Sequence, residues 1–131
     1  MALALSTTLH TDFADAVERT RKALSDQGFG VLTEIDVTAT LRQKLGAEME
    51  DYLILGACNP PLAHAALGVD RQIGLLLPCN VVVRKDPSND DAVLVEAMNP
   101  ELMVQVAGDP ALKEVADTAA AKLRAAIAAL G

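Results

Sequence analysis

The sequence predicts an α+β fold: a single domain over residues 1–131 in which a layer of helices covers one mixed, mainly antiparallel sheet. Hydrophobic residues make up 51% of the chain and aromatic residues 2%, so the core has to be aliphatic. Apolar runs typical of strands alternate with segments of helical periodicity, in the order β-α-β-(α)-β-α-β-β-α. At least one pair of strands is joined by a short polar turn, which indicates an antiparallel hairpin.

The first half of the chain alternates strand and helix. Thr11 or Asp12 is a suitable N-cap for an amphipathic helix, and Gly28 is a suitable residue to end it. Gly46 in the same way ends a second, shorter helix. The predicted elements are a strand over residues 2–8, a helix over 12–27, a strand over 29–36 and a helix over 37–45, followed by an acidic surface turn over 47–51.

The second half begins with a near-continuous apolar run over residues 52–58, which is typical of a strand buried on both faces. Asn59 is a plausible N-cap for the next helix, because Pro60 and Pro61 suit a first helical turn. Pro78 interrupts the following strand, since proline cannot donate to a sheet ladder. The predicted elements are a helix over residues 62–67 closed by Gly68, a strand over 73–85, a turn over 86–91, a strand over 92–98, a short helix over 99–106 and a final helix from 109 onwards.

Charge and hydropathy exclude several function classes. The net charge is −7, whereas nucleic-acid affinity depends on clustered lysine and arginine. No apolar run approaches the roughly 18 residues of a membrane span. The first residues lack the basic segment of a secretory signal. We therefore expect a cytoplasmic protein that binds neither nucleic acid nor membrane, with its two cysteines in a reducing compartment.

Four segments, residues 28–37, 52–60, 63–67 and 73–79, give the sequence a family likeness. Their order, with the motifs Cys58-Asn59-Pro60 and Leu77-Pro78-Cys79, resembles the bacterial and archaeal domain-of-unknown-function family 302. The resemblance implies a small single-domain α+β fold that forms a homodimer. It implies no established activity and no catalytic residues. The chain departs from the family pattern at Asn99, where an aspartate is expected before Pro100.

The candidate site is the stretch that contains both cysteines. Cys58 ends a strand and directly precedes a helix N-terminus, where free N–H groups and the helix dipole can favour a thiolate or an anion. If the strands of Cys58 and Cys79 are neighbours, the two sulfurs can approach. The residues predicted to bind a ligand are Cys58, Asn59, Pro60, Pro78, Cys79 and Asn80.

Each of these residues also has a purely structural explanation. Free cysteines are among the most buried residue types and often act as small hydrophobes. Asn59 can simply cap a helix. A metal site using Cys58, Cys79 and His64 is a weak alternative, because the spacing matches no common zinc motif and lone histidines such as His64 and His10 are usually surface residues.

The leading functional hypothesis is a ligand-binding or sensor domain with a pocket around Cys58 and Cys79. Its ligand would be a thiol-reactive molecule, an anion or a metal, and the sequence does not indicate a cofactor. One alternative is a thiol-dependent redox enzyme that uses Cys58 and Cys79 as its catalytic pair. The other is a structural dimerisation module.

Overall fold

The computed structural model describes residues 2–131. The strands and helices in that part of the chain are, in order, β1 (Ala4–Leu9), α1 (Phe13–Asp26), β2 (Gly30–Asp36), α2 (Val37–Leu45), β3 (Tyr52–Cys58), α3 (Pro60–Val69), β4 (Cys79–Asp86), β5 (Asn89–Met98), α4 (Glu101–Ala107) and α5 (Lys113–Leu130). Two short 3-10 helices, Arg71–Leu76 and Pro110–Leu112, lie between them.

The strands form one five-stranded sheet in the order β1-β5-β4-β3-β2, and every neighbouring pair is antiparallel. The predicted α+β class is confirmed, and the sheet is antiparallel throughout rather than mixed. The predicted hairpin joins β4 and β5. The first strand closes the far edge of the sheet by pairing with β5, from Ala4 opposite Met98 to Leu9 opposite Val93.

Local capping explains where the first helices begin and end. Asp12 caps α1 by accepting a hydrogen bond from the Asp15 N–H at 2.7 Å. The chain leaves α1 through Gly28, whose φ of 83° is the left-handed conformation that glycine adopts without strain. Asp36 caps α2 in the same way, by accepting from the Ala39 N–H at 2.9 Å. These predicted helix boundaries are therefore confirmed to within one or two residues.

The segment before Pro78 differs from the prediction. Residues 73–77 were expected to be strand, but Ile73 lies in a 3-10 helix that Asp70 caps by accepting from the Gln72 N–H at 2.9 Å. The Ile73 side chain is buried among helices rather than on the sheet. Pro78 offers no N–H to a ladder, so β4 begins only at Cys79.

Two further boundaries and one burial prediction were wrong. Helix α3 begins at Pro60 and continues through Gly68 to Val69, because the Asp70 N–H still bonds to the Ala66 carbonyl. Strand β5 begins at Asn89, so the β4–β5 turn is shorter than expected. Strand β3 is not buried on both faces: Leu53, Leu55 and Ala57 are buried, while the alternate residues Tyr52, Ile54 and Cys58 stay partly exposed.

Asn99 connects the end of β5 to the start of β1. Its side-chain amide donates to the Ala2 carbonyl at 3.1 Å and its side-chain oxygen accepts from the Glu101 N–H at 3.1 Å. Its backbone N–H donates to the Leu3 carbonyl at 2.9 Å. An ionised aspartate could accept but not donate through its side chain. Asn99 thus uses both the oxygen and the NH₂ group of its side-chain amide.

The core has two parts. The main cluster lies between one face of the sheet and helices α1 and α5, and it includes Leu55, Val81, Val83, Val95 and Leu123. The second cluster lies beyond one end of the sheet, where α3, both 3-10 helices and α4 pack against α5. It is built from Ala66, Ile73, Met103, Leu112 and Ala116. The candidate site lies where these two clusters meet.

Candidate functional site

A cavity of about 340 Å³ lies between the main and second clusters, at the end of the sheet where β3 stops and β4 starts. Strands β2, β3 and β4 form one side of it, and helices α3, α4 and α5 form the other. Its lining residues are Phe29, Leu32, Thr33, Ala57, Cys58, Asn59, Leu62, Ala63, Ala66, Leu67, Leu77, Pro78, Cys79, Met103, Val115 and Ala119.

The cavity exists because side chains become smaller toward this end of the sheet. Along the helix-covered face, the β3–β4 pairs run from Leu53 opposite Val83, through Leu55 opposite Val81, to Ala57 opposite Cys79. The helices that face this end also present small residues, which are Ala63 and Ala66 on α3 and Ala119 on α5. Small side chains on both sides leave the two layers apart and unfilled. In most protein interiors such a space is closed by interdigitated side chains.

The two cysteines both line the cavity but occupy different positions. Cys79 is 7% exposed and lies on the helix-covered face, opposite Ala57. Cys58 is only partly buried, and it is the last residue of β3, one step past that pair. The strands of the two cysteines are neighbours, as the hypothesis required.

The register does not favour a disulfide between them. Cys79 pairs with Ala57, and Cys58 lies one residue beyond that pair, so the two cysteines are not directly opposite each other across the strands. A disulfide requires Cβ vectors that converge, and divergent ones need backbone movement. Both cysteines are free thiols.

Burial, and secondarily the nearby Cys58, raises the pKa of the Cys79 thiol to about 11. At neutral pH Cys79 is therefore protonated, and the thiol acts as a small apolar wall group. A reactive cysteine needs an electropositive, accessible setting that favours its thiolate. The environment of Cys79 is instead buried and favours the protonated thiol.

The start of α3 differs from the anion site that the sequence suggested. Pro60 and Pro61 occupy the first helical positions and have no N–H groups. The next N–H, of Leu62, donates to the Asn59 side-chain oxygen at 3.4 Å, while the Asn59 amide donates to the Gln27 carbonyl at 3.5 Å. The Asn59 side chain thus serves as a cap that also ties α3 to the end of α1. The first turn has no free N–H donors to stabilise a thiolate or an anion.

Comparison with known proteins shows which family this chain is similar to. The family model described as "Domain of unknown function DUF302" matches residues 5–130. The chain belongs to the DUF302 family. A crystal structure of an uncharacterised conserved DUF302 protein from Bacillus stearothermophilus is 30% identical to it, with a TM-score of 0.91, and the match covers 100% of both chains. The search of curated proteins gives no match.

The predicted site residues of this DUF302 domain divide into two groups. Cys58, Asn59, Pro78 and Cys79 line the cavity. Pro60 and Asn80 are exposed and lie outside it.

The histidines also lie apart from the cavity of the DUF302 domain. His64 is exposed on α3, and His10 is exposed in the loop where its ring nitrogen Nδ1 lies 3.3 Å from the Asp91 carbonyl. Across residues 2–131, no three or more His, Cys, Asp or Glu side chains are grouped so that they could hold a metal ion. In the same range, no helix combines the length and apolar character needed to cross a bilayer.

Most of the cavity wall was not predicted from the sequence. Phe29, Leu32, Met103, Val115 and Ala119 come from three distant segments and carry no motif. The alanine-rich apolar face of α5 was the available signal. Near Ala119 the small side chains of this face leave space.

Proposed function

We propose that this DUF302 domain binds a small, uncharged and mainly apolar molecule in the cysteine-lined cavity. The observation that carries the proposal is the cavity itself, about 340 Å³ with almost entirely apolar walls. Ligand sites typically occupy 300–1,000 Å³ and are lined mainly by hydrophobic side chains. An apolar cavity of about 150 Å³ is enough to bind benzene.

The lining favours a neutral ligand over an ion. None of the cavity residues in the described range 2–131 is Lys, Arg, Asp or Glu. An ionised group buried there would lose its hydration without a compensating partner. The proline-capped start of α3 also lacks the free N–H donors that an anion would use. Of the three ligand classes that the sequence left open, the anion and the metal ion are disfavoured, because both carry a charge.

The same features favour binding over redox catalysis. A dithiol enzyme needs two sulfurs that can join, but Cys79 pairs with Ala57 rather than with Cys58, and both cysteines are free thiols. It also needs an easily formed thiolate, but the pKa of Cys79 is raised. We infer that the cysteines act chiefly as soft, polarisable wall groups.

Calorimetric titration with octan-1-ol and octanoate tests the proposal, because the two probes share a chain length and differ in charge. We expect saturable binding of octan-1-ol, and binding of octanoate at neutral pH that is weaker by about ten-fold or more, the equivalent of about 1.4 kcal/mol. Absence of saturable octan-1-ol binding would refute the proposal. Equal affinity for both probes would refute the preference for a neutral ligand.

A pair of variants on one helix locates the binding. Ala63 lines the cavity, and Ala65, two residues away on α3, is exposed and does not. Ala63→Phe should fill the space and weaken octan-1-ol binding by about ten-fold or more, whereas Ala65→Phe should leave it unchanged. Both variants carry the same change in helix propensity. Equal effects would mean that the alcohol binds elsewhere.

We also propose that the domain forms a homodimer through the sheet face opposite the helices. Ile54, Val82 and Leu94 lie on that face and are partly exposed. Arg84 and Glu96 form an ion pair there at 2.6 Å, so this face is neutral although the chain carries −7. A two-fold interface needs a self-complementary patch, and a neutral apolar face avoids repulsion between two acidic copies.

Sedimentation velocity at micromolar concentration tests the dimer. We expect a dimer for the unmodified chain and a monomer for Val82→Lys, which places a charge at the centre of the face. Ala65→Lys is the control, because Ala65 is exposed on α3. A monomer at every concentration would refute the dimer, and an unchanged dimer in Val82→Lys would refute this face.

A further inference from the structure

The edge strand β2 has an irregularity beside the cavity. Val31 pairs with Ala57 and Thr33 pairs with Gly56, so the register shifts and Leu32 is left without a partner across the strands. Such a β-bulge bends the strand and redirects the side chain of the extra residue. The bulge therefore decides where the Leu32 side chain lies.

Close packing holds the bulge against the sheet. A Cβ on Gly56 would lie 2.1 Å from Thr33 Oγ1 and 2.9 Å from Pro78 Cγ, so both side chains occupy the space above that glycine. Thr33 and Pro78 also line the cavity. The absence of a side chain at Gly56 thus lets the residue after Leu32 sit tightly on β3. Leu32 is held at a defined position beside the cavity.

Exposure distinguishes the floor of the cavity from its mouth. Ala57, Ala66, Met103 and Ala119 are buried and form the floor. Leu32 is 69% exposed, although it lines the same cavity. Of the large hydrophobic side chains that are exposed within residues 2–131, Leu32 is the one that borders this space. An apolar side chain at the mouth of an apolar cavity is placed to contact any part of a ligand that emerges.

We propose that Leu32 is a specificity-determining residue that selects for elongated aliphatic ligands, by covering the part of the chain that projects past the cavity mouth. The inference rests on the proposed binding function. A cavity of about 340 Å³ holds about twice the volume of the space that accommodates benzene. A six-carbon chain fits within such a space, but an extended ten-carbon chain is longer than a compact space of that volume. The longer ligand then reaches Leu32, and the shorter one does not.

Titration of hexan-1-ol and decan-1-ol into Leu32→Ser tests this role. We expect Leu32→Ser to weaken decan-1-ol binding by about three- to ten-fold, because part of the leucine is buried against the ligand, and to change hexan-1-ol binding by less than about two-fold. Leu32→Met should retain the preference for the longer alcohol. Ile35→Ser is the matched control, since Ile35 is 50% exposed on the same strand and lies outside the cavity.

Each outcome decides the matter. A loss confined to decan-1-ol in Leu32→Ser supports the role. Equal losses for both alcohols, or no loss for either, overturn it while leaving the cavity as a binding site. If the unmodified chain binds neither alcohol, the proposed binding function fails, and the role of Leu32 fails with it.

Discussion

The centre of the sheet and its cysteine end, where Ala57 pairs with Cys79, share the same strands and the same helix-covered face, yet they are packed differently. At the centre, Leu55, Val81 and Leu123 are fully buried in a filled core. One residue pair further along, Ala57 and Cys79 face a cavity. The difference lies in side-chain volume rather than in backbone architecture.

This comparison suggests that binding space can arise without a catalytic motif. The backbone continues the same antiparallel ladder through Ala57 and Cys79. Replacing large aliphatic side chains by alanine and cysteine leaves space that a separate ligand can occupy. Such a replacement also gives up the transfer free energy and the dispersion contacts that a filled core provides. The filled centre therefore has to stabilise the fold, because the other end of the sheet does not contribute these packing interactions.

The largest expected effect distinguishes leucines in the two regions. Leu55→Ala should lower the free energy of unfolding by about 3–5 kcal/mol, because it opens a new cavity in the filled centre. Leu62→Ala removes the same atoms beside the existing cavity, where Leu62 is already partly exposed, and should cost about 1 kcal/mol. Urea denaturation of both variants measures the difference. Equal losses would show that the two regions are equally well packed.

The next effect comes from pH and concerns the buried thiol. The unfolded chain releases the Cys79 proton near pH 9.0, whereas the folded chain holds it until about pH 11. The titration of Cys79 therefore does not lower the free energy of unfolding below pH 9. As the pH rises toward 11, it lowers the free energy of unfolding by about 2 to 3 kcal/mol, at roughly 1.4 kcal/mol per pH unit.

The Cys79 contribution is isolated by comparing denaturation midpoints at pH 8 and pH 10.5. Cys79→Ala should lose less stability over that interval than the unmodified chain, and Cys58→Ala should keep most of the original loss. An identical decline in the unmodified chain and Cys79→Ala would contradict the raised pKa.

A smaller effect shows that the cysteine end is tightly packed on its sheet side. Gly56→Ala should destabilise the fold by about 1–3 kcal/mol, because the new Cβ overlaps Thr33 and Pro78. Gly30→Ala is the control: no atom lies within 4 Å of its added Cβ, so it should be neutral or slightly stabilising. If Gly56→Ala is as stable as Gly30→Ala, the bulge beside Leu32 is not held by this contact.

The sequence predicted the elements with strong local signals. Asp12 and Gly28 bound α1 because a cap side chain and a left-handed glycine act within a few residues. The 3-10 helix around Ile73 was wrongly predicted as strand, because its short apolar run is compatible with either structure. Tertiary packing against Met103 and Ala66 decided that choice, and local sequence does not contain that information.

The site was only partly predictable for a related reason. The unusual Cys-Asn-Pro and Leu-Pro-Cys segments drew attention to Cys58, Asn59, Pro78 and Cys79, and in the structure these four residues line the same cavity. The alanines and Met103 that leave the space carry no chemical signature. A cavity is defined by volume missing between distant segments, which appears only once those segments are packed.

The central claim is that the cysteine end of the sheet binds a small uncharged apolar molecule, and that the sheet centre and the sheet face opposite the helices do not. Methyl-detected NMR during an octan-1-ol titration tests this most directly. We expect saturable shifts at Leu62, Met103 and Val115, which line the cavity, with Ile54, Val82 and Leu94 unchanged. Shifts centred on the sheet face opposite the helices, or shifts that increase linearly without saturating, would contradict the account.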